Sequence, residues 1–174
     1  MLSRQSESNI PADSFFFGEE LVEKAVDSVL PAVYAMMASG RLKRHNLHIV
    51  VLNPLVQPWN GTFEEAILFE KSLGNPYSWE HPYDKIARSK AEISWHTSLP
   101  SQMVQLRMPQ HLVAGNTVYW GSAVLDGIIV AASGVQPWFD QMIAGWIAEA
   151  CRAFAIDATQ KYREINPEAD FLTN

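Results

Sequence analysis

Between Pro82 and Thr97, the side chains Lys85, Ser89, Glu92 and His96 recur at helical spacing and line one polar face. His96 has a reference pKa near neutrality, which makes it the acid/base candidate or an axial ligand, with Glu92 as its partner. Ser89 and Lys90 are candidates for holding a ligand from the same helix, although Lys90 and Glu92 leave it on different sides. A solvated face laced with ion pairs explains the same pattern, since Asp84, Arg88 and Glu92 follow one another four residues apart. The second concentration of chemistry lies between Asp126 and Asp140. An apolar strand ends at Ser133-Gly134, and Pro137 opens a helix with Asp140 in its first turn. If that corner faces a cavity, Ser133 and the free backbone donors receive a carboxylate or phosphate. Otherwise Gly134 supplies an unusual backbone angle and Asp140 simply favours the positive helix end.

Two site readings follow. In one, Ser89, Lys90, Trp95, Trp120, Ser133 and Gly134 line a binding pocket. In the other, His96 is the general base, with Asp140 or Glu92 as its partner. No metal site is expected: His45 and His48 lack a third ligand nearby, and no His-Glu-x-x-His or Cys-x-x-Cys occurs. A Walker loop, a dinucleotide fingerprint and Gly-x-Ser-x-Gly are also missing from the sequence, which leaves hydrolysis or isomerisation open.

The elements that must position these groups read as α+β. Residues 1–16 lack periodicity and are expected to be a flexible arm, docked by Phe15, Phe16 and Phe17. A single domain over 17–160 and a tail over 161–174 complete the division. Apolar spacing predicts a helix from Gly18 to Ser39, kinked or divided at Pro31. Leu47–Leu52 is a strand, and Glu65–Leu73 reads as a second that would pair with it, with a helical reading of the latter left open by its periodicity. Pro82 opens the helix to Thr97, and 99–108 is a short helix or turn. Thr117–Trp120 and Leu125–Ala132 are the last strands, around a turn at 121–124. The closing helix runs from Pro137 to about Ala155, with Phe139, Ile143, Trp146, Ala150 and Phe154 as its core stripe. The other tryptophans suit core or interface positions.

With 174 residues the chain suits one domain. A net charge of −6 argues against nucleic-acid binding, which calls for a basic face. The only cysteine, Cys151, cannot form an internal disulfide and falls in the apolar pattern of the last helix. No run is long enough for a signal core or membrane span, so a cytoplasmic protein without a membrane partner is expected.

Two segments carry a family resemblance: Ile86-Ala87-Arg88-Ser89-Lys90-Ala91-Glu92, and Gly127-Ile128-Ile129-Val130 running into Ser133-Gly134 with Asp140 beyond. In their order, behind a first helix and the strand Ile49-Val50-Val51, they resemble the GlcG/HbpS-like, or haem-degrading-domain, family over roughly 19–155. The resemblance implies a profilin-like α+β fold, with a central antiparallel sheet of about five strands covered by helices, and assembly into a homo-oligomer. It also implies a small-ligand-binding role, with haem or another tetrapyrrole as the leading ligand and His96, His81 or His111 as iron ligands. The alternatives are a small cofactor-free isomerase, lyase or cyclase, and a structural or partner-binding subunit.

Overall fold

A computed structural model describes residues 13–173; most of the expected N-terminal arm lies outside the described residues. The elements in order are α1 (Glu19–Ala38), β1 (Leu47–Leu52), α2 (Phe63–Ala66), β2 (Ile67–Leu73), α3 (Tyr83–Thr97), α4 (Ser101–Arg107), β3 (Ser122–Leu125), β4 (Ile128–Ser133) and α5 (Pro137–Ile165). The four strands form one antiparallel sheet in the order β2-β1-β4-β3. The fold is therefore α+β, with four strands among the described residues.

Helices cover both faces of the sheet. All six residues of β1 and all six of β4 are buried, as central strands sandwiched between layers require. Leu47, Ile49, Val51, Ile128, Val130 and Ala132 face α1 and α5. Val50, Leu52, Ile129 and Ala131 face α3, whose Ala87 and Ala91 let the helix sit close to the strands. No helix among the described residues is long and apolar enough to cross a membrane.

Several expectations change in detail. The helix α1 is one element across Pro31. Pro31 lies on the exposed side, opposite the buried stripe of Val22, Val26, Leu30 and Val33, so the missing backbone bond falls where the chain meets water. Glu65 and Ala66 belong to the helical turn α2, closed by a reciprocal cap between Thr62 and Glu65, and the strand begins only at Ile67. Residues 117–120 are not a strand. The residues expected to turn, Ser122–Val124, are strand β3, and the turn is Asp126-Gly127, where both backbones adopt positive φ.

The closing helix extends ten residues past the expected end. Phe15 and Phe16 set their rings edge-on to Tyr162 at 5.3 and 5.8 Å, and Lys161 pairs with Asp157 along the helix. Its buried face is Asp140, Ile143, Ala144, Ile147, Ala148 and Cys151. Trp146, expected in the core, is 37% exposed, because the small Ala144 and Ala148 take the positions against the sheet.

Candidate functional site

Lys90 leaves α3 toward the sheet and ends among backbone and carboxylate groups. Its Nζ donates to the Ala132 carbonyl at 2.8 Å and to Asp140 Oδ2 at 2.9 Å. Both side chains of this pair are almost completely buried. Asp140, in the first turn of α5, accepts a further hydrogen bond from the Val135 backbone N–H on Oδ1. The helix start thus already holds an anion, and that anion is the chain's own carboxylate. Burial pushes the Asp140 carboxyl up to about 6 against the opposing pull of Lys90, and burial likewise draws the Lys90 ammonium down.

Two glycines make room for this arrangement. Gly121 has φ +147°, and a Cβ there would come within 2.6 Å of the Asp140 Cβ and 2.9 Å of Lys90 Nζ. Gly134, at φ +150°, lies so close to the Asn46–Leu47 backbone that a side chain would run into the Asn46 carbonyl. Its unusual angle is as the sequence suggested, and close backbone approach adds a second demand for glycine.

The pair forms the floor of a cleft of about 270 Å³, bounded also by Lys43, Arg44, His81, Tyr83, Ser133 and Gly134. The helix carrying Lys90 and the corner at Ser133 therefore share one cavity. Three cationic side chains, Lys43, Arg44 and Lys90, line it against the single carboxylate of Asp140. Arg44 also reaches Glu80 at 3.2 Å across the rim. Tyr83 is buried, and its hydroxyl has no hydrogen-bond partner among the described residues. Burial raises its pKa, so it stays a neutral donor. An unpaired buried hydroxyl costs about 1–3 kcal/mol unless something occupies the space before it.

Of the two carboxylates offered as partner to His96, Glu92 shares a groove with it and Asp140 does not. Glu92 and His96 line a separate groove of about 330 Å³ with His111, while Asp140 sits in the cleft with Lys90. Two helical positions rotate a side chain by about 200°, which separates the Lys90 face from the Glu92 face as the sequence implied. Of the histidines offered as alternative iron ligands, His81 lines the cleft, while His96 and His111 line the other groove. Among the described residues, no group of three or more His, Cys, Asp or Glu side chains is poised to hold a metal.

The other candidates have local partners. Ser89 accepts a hydrogen bond from the Thr117 backbone N–H at 2.8 Å, which anchors the loop before β3. Trp95 is buried and donates to the Val56 carbonyl, away from the cleft. Trp120 is half-buried, and its neighbour Tyr119 is the residue that lines the cleft. Arg88 pairs with Glu70 and Glu64 in place of its own helix neighbours.

Two polar clusters come together only in the fold. Ser94, Ser101 and Ser122 come from three elements, and their buried hydroxyls lock α4 against β3 at 2.7–3.2 Å. His48 lies between Ser72 at 2.8 Å and Glu70 at 3.0 Å, so both ring nitrogens have partners within the chain. Arg44 and Tyr83, essential to the cleft's character, were likewise not singled out. They come from the entry to β1 and the first residue of α3, joined only by the tertiary fold. Compared with known family models, curated proteins and solved structures, the chain gives no match.

Proposed function

We propose that this chain is a small-ligand-binding protein of the GlcG/HbpS-like, profilin-like type, and that its ligand is a small carboxylate held in the cleft above Lys90. The observation that carries the reading is a buried tyrosine, Tyr83, whose hydroxyl has no partner among the described residues, on the wall of the same cleft that the buried Lys90 lines. A donor and a cation desolvated together are complementary to an anion. Lys43 and Arg44 extend that positive field outward on a chain whose net charge is −6. The segments that carry the family resemblance supply Lys90, Ser133, Gly134 and Asp140 to this one place. At about 270 Å³ the cleft lies just below the usual range of ~300–1,000 Å³ for drug-sized ligands, which suits a small acid better than a whole tetrapyrrole.

Calorimetric titration with lactate, pyruvate and hemin tests this directly. Saturable binding of the small acids, weakened in Arg44→Ala, is the expected result. Saturable hemin binding with no response to either acid would replace the carboxylate with a tetrapyrrole. A second reading, self-association, rests on the exposed Trp138 and Trp146 of α5. Light scattering that gives a monomer at micromolar concentration removes it.

A further inference from the structure

Building on the carboxylate reading, we infer that Lys90 is an amine nucleophile that forms an imine with a small 2-oxo acid bound in the cleft. The geometry supplies each part of that chemistry. Lys90 Nζ has two of its three possible N–H donors engaged, by Ala132 O and Asp140 Oδ2, and Lys90 is one of the residues that line the cleft. Asp140 is the proton acceptor in contact with that nitrogen, at 2.9 Å. Tyr83, whose hydroxyl has no partner among the described residues, lines the cleft as the donor assigned to the carbonyl oxygen, and Arg44 and Lys43 on the same lining are assigned to the acid's carboxylate. Gly121, pressed against both Asp140 and Lys90, leaves the nitrogen uncrowded by any side chain at that position.

The step balances without a co-reactant. Transfer of the ammonium proton to Asp140 gives the neutral amine. Its lone pair attacks the 2-oxo carbon, the carbonyl π pair moves to oxygen, and that oxygen takes back the proton that Asp140 holds, giving a carbinolamine still protonated on nitrogen. The carbinolamine nitrogen then loses its proton, the hydroxyl leaves as water with the proton held by Asp140, and the carbon–nitrogen double bond forms. Ammonium and ketone become protonated imine and water, and Asp140 ends as the carboxylate it began. Burial, which draws the Lys90 ammonium down and holds Asp140 near 6, brings the two groups toward the proton exchange the step needs.

The test is to trap the imine in the full chain with pyruvate or glyoxylate followed by sodium borohydride, and to map the adduct by peptide mass spectrometry. One reduced adduct per chain at Lys90 is expected. Excess lactate, which has the carboxylate but no carbonyl, should suppress it, and it should be lost in Lys90→Arg. Lys85→Arg, on an exposed part of α3, should leave it unchanged. Site mapping in the unmodified sequence decides the question even if Lys90→Arg folds poorly. Adducts scattered over exposed lysines, or none at Lys90 with either acid, overturn the imine. If calorimetry still shows saturable carboxylate binding, only the covalent step falls; if it shows none, the binding reading falls with it.

Discussion

At the scale of single residues, the Lys90–Asp140 pair dominates what can be measured. Removing one partner leaves an uncompensated buried charge, so Lys90→Met or Asp140→Leu alone should cost about 3–5 kcal/mol in urea unfolding. The double substitution should recover most of that loss, because two apolar groups need no partners. The pair also fixes a pH signature. Asp140 titrates at about 6 in the fold against a reference of 3.8, so the folded state keeps this proton where the unfolded chain has lost it. Its contribution is fully present below 3.8 and is lost as pH rises through 6. The wild-type advantage over Asp140→Asn in unfolding free energy should therefore shrink across that window, and a wider advantage at the upper end would contradict this account. Tyr83→Phe separates ligand chemistry from folding. It removes an unpaired hydroxyl, so stability should hold or rise slightly, whereas carboxylate affinity should fall by about 0.5–1.5 kcal/mol of binding energy.

Secondary elements show which physical signals survive in a sequence. The buried strand Leu47–Leu52 and the helix Tyr83–Thr97, with Pro82 as its N-cap one residue ahead of the helix, were legible because apolar runs and a proline before a helix are local properties. Strand β3 was not, since Ser122–Leu125 is short and lies at a sheet edge; its place is set by pairing with β4. The stripe of α5 was misread by about one position because bulk suggested burial, while close packing selected alanine. The same limit applies to the site. Lys90, Ser133, Gly134 and Asp140 stood out in two short segments, but no local pattern tells His96 that it faces a different groove. Gly134→Ala tests the corner itself: a positive φ and the Asn46 carbonyl both oppose a methyl group there. The loss should exceed the ~1 kcal/mol typical of a tolerated glycine change and should appear as a lower melting temperature.

For the whole molecule, a sheet covered on both faces leaves the strand ends as the place where a ligand can approach buried polar groups. Positive lining within an acidic chain makes the attraction local, so carboxylate binding should weaken with added salt chiefly through Lys43 and Arg44 at the rim. Cys151 adds a different consequence. Its thiol is fully buried between α5 and the rest of the core, and burial pushes its pKa up to about 12. A disulfide reagent such as Ellman's needs thiolate and access, so neither is available while α5 rests on the sheet. Labelling then proceeds only during transient detachment of that helix, and its rate, set against that of an unprotected thiol, clocks how often the same helix that carries Asp140 lifts from the sheet.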